Sequence, residues 1–337
     1  MEVVDKLSEL GSRVEPALER YLLKDTDVEF HEAVLYQMKT GGKRLRPALT
    51  FASSLAAGGD VDSAIPAAAA VELAHNYSLI FDDIIDHSEL RRGRPTLWKK
   101  YGVTMAILVA VHYRESIAQA LDDTKDPVAF HDIMARTLKL LVEGERLDVL
   151  FEQAGREDEP YVKEKRKSNV KLSDYIDMVF KKTGALIETA CVFGAMSAGA
   201  SSQIVNMLGG YGRNLGLAFQ IGDDIIDIFG REEVTGKRVG KDIEEHKLGN
   251  VIVILALEEL ELNKQNELTS ILRKDSIKAS ELKKAIELIT YTKAKERAEA
   301  LRSRYAHEAM KSIEKLPNTE GKALLKALAD FVATREF

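Results

Sequence analysis

Two aspartate triplets are the residues of this chain whose types and spacing could do chemistry. They lie in LIFDDIID and FQIGDDIID and comprise Asp82, Asp83, Asp86, Asp223, Asp224 and Asp227. In a helix, positions i, i+1 and i+4 fall within an arc of about 100°, so each triplet presents its carboxylates on one face. One triplet is as typical of a solvated helix face as of a metal site. Two copies among apolar neighbours, where like charges are costly to desolvate, favour a divalent cation, Mg2+ or Mn2+, bridging to phosphates.

Two basic motifs accompany the triplets. TGGKRLRPAL places Lys43, Arg44 and Arg46 after two glycines at a predicted helix start, where backbone N–H groups favour anions. Arg91 and Arg92 follow the first triplet and precede Gly93. Either motif alone is typical of a solvated basic loop. Beside the triplets they predict two phosphate-bearing ligands, one bound through metal and one bound directly by Arg and Lys.

The elements that must position these residues are predicted to be helices. Proline, which interrupts helices, occurs seven times in 337 residues, each time where a helix could begin or a loop could run. Apolar residues recur at three- and four-residue spacing, and alternating strand patterns are absent. The long predicted helical segments are Val61–His87, Thr96–Leu121, Val128–Phe151, Ser173–Ser197, Ser202–Phe229 and Ser280–Met310, and the predicted loops are Asp122–Pro127, Gly155–Asn169 and Gly230–Leu248. With no linker or repeat among them, we predict a single all-helical domain over residues 1–337.

The composition excludes several classes of protein. A chain with 45% hydrophobic and 30% charged residues is globular, and 48 basic against 54 acidic residues leave a net charge of −6, so no global positive field exists for nucleic acid. No uninterrupted apolar run is long enough for a membrane span, and the mixed-charge start predicts no secretory signal. The single cysteine, Cys191, cannot form an intramolecular disulfide, which favours a reducing compartment and a cytoplasmic location.

The motifs GGKRLRP, DDIIDHSELRRGRPT, KTGAL, FQIGDDIID and GKRVGKD, in that order and spacing, resemble the trans-isoprenyl diphosphate synthase family. The resemblance runs from about Glu32 to the C-terminus. It implies an all-α bundle of long helices around a deep central apolar cavity, the isoprenoid synthase fold, usually as a homodimer. It also implies a Mg2+-dependent, head-to-tail condensation of an allylic diphosphate with isopentenyl diphosphate, in which no protein nucleophile is needed.

The resemblance further implies roles for individual residues. Both aspartate triplets would bind Mg2+ and through it the allylic diphosphate, with Asp224 in support. The other expected contacts of the allylic diphosphate are Arg91, Lys182, Lys237 and Lys247. The expected contacts of isopentenyl diphosphate are Lys43, Arg46, His75 and Arg92. Thr183 and Gln220, together with Lys182, match the family's catalytic positions near the reacting carbons.

Product length is expected to depend on side chains below the first triplet. Tyr77 lies five residues before Asp82, about 7.5 Å deeper along a helix axis. A ring there would stop elongation, while the small Ser78 and Ala74 leave room around it. This pattern resembles archaeal-type geranylgeranyl diphosphate synthases, which make a twenty-carbon product. A farnesyl or longer-chain product, with Tyr77 as an ordinary core residue, is the alternative.

Three departures from the family pattern stand out: Phe81 where His is common, Glu145 where Gln is usual, and Leu248-Gly249-Asn250 where Thr-Leu-Pro is common. None removes a metal or diphosphate ligand. A class I terpene cyclase would lack the GGKRLRP site, and a non-catalytic partner subunit of a heteromeric synthase would tend to lose aspartates, so both are weaker interpretations. Replacing Asp82 and Asp83 together by Ala is expected to abolish turnover and leave the fold intact.

Overall fold

The computed structural model describes residues 2–230 and 239–334, and these are almost entirely helical. The α-helices in chain order are α1 (Glu2–Ser12), α2 (Glu15–Leu23), α3 (His31–Lys39), α4 (Leu45–Ala56), α5 (Ile65–Ile85), α6 (Leu97–Tyr101), α7 (Val103–Asp122), α8 (Pro127–Phe151), α9 (Pro160–Lys165), α10 (Leu172–Val179), α11 (Ala185–Ser197), α12 (Ser202–Phe229), α13 (Lys241–Glu244), α14 (Val251–Glu259), α15 (Leu262–Leu272), α16 (Ala279–Thr290), α17 (Ala294–Ser312) and α18 (Glu320–Thr334). Short 3-10 turns cover Val28–Phe30 and Asp62–Ala64, and a π-helical segment covers Phe180–Gly184. The predicted all-α class is confirmed.

The described strands form one small hairpin directly after α5. Strand β1 (Leu90–Arg91) pairs with antiparallel β2 (Arg94–Pro95). Arg92 and Gly93 form its turn with φ values of 54° and 74°. Positive φ at both central residues is the geometry of tight hairpin turns, and Gly93 adopts it without strain. The sequence pattern had predicted no strand here, because two-residue strands are too short to show alternation.

Proline sets several helix starts, as predicted. Pro16, Pro47, Pro66, Pro127 and Pro160 all lie in the first turn of a helix, where the missing N–H has no intrahelical partner to lose. The last of these begins α9, a short helix inside the predicted loop Gly155–Asn169. The region Gly230–Leu248 likewise contains the short α13 within its described part.

Two of the long segments predicted as continuous helices are each divided into two helices in the structure. Gly102, with φ of 87°, divides Thr96–Leu121 into α6 and α7. The segment Ser280–Met310 is divided between α16 and α17, where Thr292 accepts a hydrogen bond from the Ala294 N–H at 3.2 Å. Glu259 accepts another from the Lys293 N–H at 3.0 Å. These side chains stabilise a new helix start that apolar spacing does not reveal.

The chain falls into two compact units. The first comprises Met1–Leu141, Ala185–Arg213 and Ala309–Leu328, and its core includes α4, α5, α7 and α11 packed together. Phe130 and Phe193 pack ring against ring in this core, with centroids 4.6 Å apart. Cys191 is fully buried there, and burial raises the pKa of its thiol to about 12. The prediction of a single domain over residues 1–337 stays a prediction.

The second unit comprises Val142–Gly184, Asn214–Glu308 and Ala329–Phe337. Its core is built around α14, which is buried from Val251 to Ala256. Against α14 pack the buried isoleucines Ile221, Ile225 and Ile228 of α12. Since these alternate with Asp223 and Asp227, which are partly exposed, apolar burial orients the second aspartate triplet.

Among the helices described, none combines the length and the apolar character that crossing a membrane requires.

Candidate active site

The first aspartate triplet lies at the C-terminal end of α5. Asp82 and Asp83 occupy its last turn, and Asp86 caps the helix by donating its backbone N–H to the Asp82 carbonyl at 2.8 Å. Asp82 and Asp86 are partly exposed, whereas Asp83 is buried. The three carboxylates therefore have different surroundings, although they lie within five residues of the sequence.

Asp83 is held by Arg91 of the hairpin. Arg91 Nε donates to both carboxylate oxygens at 3.0 Å, and its Nη2 lies 2.8 Å from Oδ1. Asp83 is 1% exposed, so its removal would leave a guanidinium without this bidentate partner. The expectation that replacing Asp82 and Asp83 together leaves the fold intact stays a prediction, and the pairing of Asp83 with Arg91 argues against it. Asp82 with Asp86 is the better pair for substitution.

The charges of four arginines of the first unit act on His75. Burial first, and then the charges of Arg46, Arg92, Arg91 and Arg44, hold the pKa of His75 well below its usual 6.5. His75 is thus neutral at neutral pH and can donate or accept a hydrogen bond without adding positive charge. Arg46, His75 and Arg92 are among the predicted contacts of isopentenyl diphosphate, and Lys43 lies exposed on the adjoining loop; that diphosphate site stays a prediction.

Gly42 brings the GGKRLRP loop against the hairpin. Its φ is 140°, and a Cβ at this position would lie 3.0 Å from Arg92 Nη1. A side chain would therefore be strained, and the Arg92 guanidinium would have to shift slightly to make room for it. Arg44, the N-cap of α4, turns inward and pairs with buried Glu72 at 3.1 Å. Arg44 thus anchors the loop, while Lys43 and Arg46 remain candidates for ligand binding.

The product-length residues lie one to two turns before the first triplet on α5. Tyr77 packs edge-to-face on Phe81, with ring centroids 5.2 Å apart and an interplanar angle of 74°. Ser78 donates to the His75 carbonyl at 2.9 Å, and Ala74 is fully buried. Phe81, the first departure from the family pattern, therefore supports the Tyr77 ring.

The second triplet lies near the end of α12, and each carboxylate has different partners. Asp224 is buried and accepts from Gln220 Nε2 and from the Val251 N–H, both at 3.0 Å. Asp227 accepts from the backbone N–H groups of Lys241 and Asp242, both at 3.1 Å. Asp223 is partly exposed. Because protein donors engage both oxygens of Asp224, a supporting position suits it better than direct metal ligation.

The π-helical segment places Lys182 and Thr183. Thr183 Oγ1 donates to Gln220 Oε1 at 3.0 Å, and Gln220 Nε2 in turn donates to Asp224 Oδ1. The backbone of Lys182 packs against Gly144 of α8 so closely that a Cβ there would collide with the Lys182 nitrogen. The predicted catalytic residues of this unit, Lys182, Thr183 and Gln220, are thus brought together.

Lys182 and Lys247 share a carboxylate partner. Lys182 Nζ lies 2.6 Å from Asp148 and 2.7 Å from Glu145, and Lys247 Nζ lies 3.5 Å from Asp148 and 3.0 Å from Glu245. Burial acts to raise the pKa of Asp148, but the charges of Lys182 and Lys247 outweigh it and lower that pKa. Lys237 lies outside the described residues.

Asp242 joins this site, although the sequence patterns did not single it out. It lines a cavity of about 120 Å³ within the second unit, together with Asp148, Lys182, Gln220, Asp224 and Lys247, among others. Its place in the GKRVGKD motif was the available signal. For Asp148 and Glu145 the signal was their i, i+3 spacing on one helix face.

The acidic residues of the second unit fit a divalent cation. Burial, and then the charge of Asp242, raises the pKa of Asp227 to about 7 and that of Asp224 well above its usual range. Such shifts mean that the ionised carboxylates are destabilised here, which either protonation or a bound cation would relieve. Within residues 2–230 and 239–334, no group of three or more His, Cys, Asp or Glu side chains is arranged so that it could hold a metal ion by itself.

The fold and these residues define an all-helical protein whose two units each carry an aspartate triplet and a set of basic side chains. Residues 27–289 match the sequence profile of the polyprenyl synthetase family, and the chain belongs to this family. A geranylgeranyl diphosphate synthase of Methanosarcina mazei is 33% identical, with 100% of this chain and 99% of the relative covered. A geranylfarnesyl diphosphate synthase of Aeropyrum pernix is 36% identical over 90% of this chain and 93% of its own. The crystal structure of a geranylgeranyl pyrophosphate synthetase from Pyrococcus horikoshii superimposes with a TM-score of 0.89 at 30% identity, covering 99% of both chains.

Proposed function

We propose that this protein is a short-chain trans-prenyl diphosphate synthase. In this reaction an allylic diphosphate loses diphosphate, the double bond of isopentenyl diphosphate attacks the allylic carbon, and a proton is lost to give a prenyl diphosphate one isoprene unit longer. The observation that carries the proposal is that each unit combines an aspartate triplet with basic side chains. The names of the relatives support it.

Two sets of residues would bind the two diphosphates. Lys43, Arg46, His75 and Arg92 of the first unit would bind isopentenyl diphosphate through charge-assisted hydrogen bonds. Lys182 and Lys247 would bind the allylic diphosphate, and Arg91 is a further candidate contact of this diphosphate. Thr183 and Gln220 would orient the reacting carbons. A deep apolar cavity for the growing hydrocarbon is the remaining part of this proposal.

Asp82, Asp86, Asp223 and Asp227 would hold the metal, with Asp83, Asp224 and Asp242 in support. We propose Mg2+, with Mn2+ as a substitute, because every donor is a carboxylate oxygen. When bound, the ion supplies positive charge that stabilises the negative charge growing on the departing diphosphate. The ammonium groups of the lysines would stabilise the same negative charge on the diphosphate.

We propose geranylgeranyl diphosphate as the main product. Tyr77, supported by Phe81, would end the space available to the hydrocarbon. The geranylgeranyl synthase of M. mazei supports this length, while the geranylfarnesyl synthase of A. pernix keeps a longer product as the alternative.

We further propose that the protein is a homodimer in the cytoplasm. The support for a dimer is an exposed apolar face on α7, formed by Val103, Ile107, Leu108 and Val111. Exposed apolar patches of this kind mark protein interfaces. The support for the location is the single buried thiol of Cys191.

The test is prenyl transfer by the purified full chain. Radiolabelled isopentenyl diphosphate is incubated with dimethylallyl, geranyl or farnesyl diphosphate, with Mg2+ or with EDTA, and products are separated by chromatography. We expect Mg2+-dependent elongation that EDTA abolishes. Asp82→Asn with Asp86→Asn should lower the rate about 100-fold or more, while Asp158→Asn at an exposed position should not. Absence of elongation with every allylic partner, or full activity in EDTA, would reject the proposal.

A further inference from the structure

Asn250 occupies the N-terminal cap of α14. Its φ and ψ of −93° and 132° are those of a capping residue, and its Oδ1 accepts the Ile252 N–H at 2.8 Å. The residue is 1% exposed, although it lies in a polar part of the sequence. Helix capping explains the contact of the amide oxygen but not that of the amide nitrogen.

The other side of the amide points to the acidic residues. Asn250 Nδ2 donates to Asp242 Oδ2 at 2.8 Å. The next residue, Val251, donates its N–H to Asp224 Oδ2 at 3.0 Å. The start of α14 thus binds two carboxylates that line the same cavity, one through a side chain and one through the backbone.

These contacts extend to the aspartate triplet of α12. Asp242 and its neighbour Lys241 both donate backbone N–H groups to Asp227. A change at Asn250 that let Asp242 rotate would therefore act on a segment that also orients Asp227. Loss of the Asn250 amide would also leave the carboxylate of Asp242 without this donor in a buried site that already contains Asp224.

Only asparagine among the common capping residues meets both requirements. Ser, Thr and Asp supply the acceptor for the helix N–H, but Ser and Thr are too short to reach Asp242 and Asp would repel it. From this geometry we infer that Asn250 is a positioning residue, which orients the carboxylate of Asp242, and through it the segment that binds Asp227, for binding Mg2+ and diphosphate in the second unit. The inference rests on the proposed function, because it assigns that site its ligand.

The experiment compares Asn250→Ser, which keeps the capping acceptor, with Asn250→Ala, which loses both contacts. The control is Asn206→Ser, the same change at an exposed position of α12. Two quantities are measured on the full chain. One is the melting temperature with and without Mg2+ and inorganic diphosphate, and the other is the Mg2+ concentration that gives half-maximal stabilisation.

We expect the half-maximal Mg2+ concentration to rise about tenfold in both Asn250 variants, the size of effect typical of residues that orient metal ligands. The ligand-free melting temperature should fall further in Asn250→Ala than in Asn250→Ser, because both variants lose the contact with Asp242 but Ser still caps α14. Asn206→Ser should match the wild type in both measurements. If the Mg2+ dependence of Asn250→Ser equals that of the wild type, Asn250 is only a helix cap and the inference is wrong.

The outcome is separable from that of the proposed function. Stabilisation by Mg2+ and inorganic diphosphate needs no turnover, so it can be observed even if no prenyl transfer is detected. Failure of prenyl transfer with normal, Asn250-dependent stabilisation would reject the proposed function alone. A wild type that Mg2+ and diphosphate do not stabilise would overturn the inference.

Discussion

The ammonium group of Lys182 lies between the carboxylates of Glu145 and Asp148, each within 2.7 Å. Asp148 is shared between Lys182 and Lys247, whereas the carboxylate of Glu145 places a second negative charge next to Lys182 alone. This charge opposes the approach of a diphosphate to Lys182. Glu145 is the position where the family pattern has Gln, and the ion pair gives this departure a physical consequence.

Glu145→Gln should therefore strengthen binding of the allylic diphosphate. Removing one charge from a partly buried pair is worth on the order of 1 kcal/mol, which corresponds to about a fivefold lower KM. Steady-state kinetics with varied allylic diphosphate measures this effect. The control is Glu143→Gln, an exposed neighbour on α8 that pairs with Arg146 and should leave KM unchanged. An unaltered or higher KM in Glu145→Gln would contradict this account of the Lys182 pair.

Tyr77 provides a prediction about product length. Tyr77→Ala should shift the products towards longer chains, because it removes the ring proposed to end the hydrocarbon space. Chromatography of dephosphorylated products measures the distribution, and Tyr291→Ala, at an exposed tyrosine of the second unit, is the control. A product spectrum identical to that of the wild type would mean that Tyr77 is an ordinary packing residue.

Residue types and spacing were enough to select most of the candidate residues but not their partners. The triplets, the arginines around His75 and the pair Thr183–Gln220 follow from motifs. The pairing of Asp83 with Arg91 does not, because it depends on a hairpin turn with positive φ at Arg92. Asn250 appeared only as a departure, since its bond to Asp242 joins positions eight residues apart through a turn that has no periodic pattern.

At the scale of elements, the π-helical segment after α10 is the feature that positions Lys182 and Thr183. It packs against α8 at Gly144 and against α12 at Gly216, where a Cβ would lie 2.7 Å from the Gly184 Cα. Two glycines on neighbouring helices thus allow the segment to approach both. A π-helical turn cannot be distinguished from a regular helix by apolar spacing, so the predicted continuous helix Ser173–Ser197 missed it.

Gly144→Ala should displace this segment. The added methyl group would collide with the Lys182 backbone, which cannot rotate away as a side chain could, so overpacking should cost about 1–3 kcal/mol. We expect a melting temperature lower by several degrees and a reduced turnover rate. Gly222→Ala is the thermal control, because its nearest neighbour, Arg302 Cδ, would lie at an ordinary 3.5 Å. Equal melting temperatures in the two variants would show that the close contact is not rigid.

Helix positions were predicted well where proline or long apolar periodicity determined them, as in Ser202–Phe229, which coincides with α12. The predictions were wrong where single side chains start a new helix. Glycine at 102 and the hydroxyl of Thr292 act through local backbone geometry and hydrogen bonding, and neither changes the pattern of apolar residues. Two helices that share one apolar pattern therefore look like one.

At the scale of the molecule, the apolar face of α7 bears on assembly. Leu108 and Val111 are each 51% exposed, and with Phe30, Met105 and His112 they line a groove of about 490 Å³ on the first unit. Burial of this face against a second copy would remove it from water and supply favourable free energy.

Leu108→Glu should therefore convert the proposed homodimer to a monomer, because it places a charge in the centre of an apolar interface. Sedimentation or light scattering after size exclusion measures the mass. Val128→Glu is the control, since Val128 is 81% exposed at the start of α8 and lies outside this face. A Leu108→Glu protein that keeps the mass of the wild type would exclude this face as the interface.

The burial of Cys191 has a practical consequence for spectroscopy. Because the only native thiol is inaccessible and remains protonated at neutral pH, maleimide dyes should not react with it. Cysteines introduced at one exposed position in each unit, such as Lys99 and Lys283, could be labelled without first engineering a cysteine-free background. Fluorescence from a dye in either unit would then report, in real time, on the arrival of substrates and the departure of products in that unit.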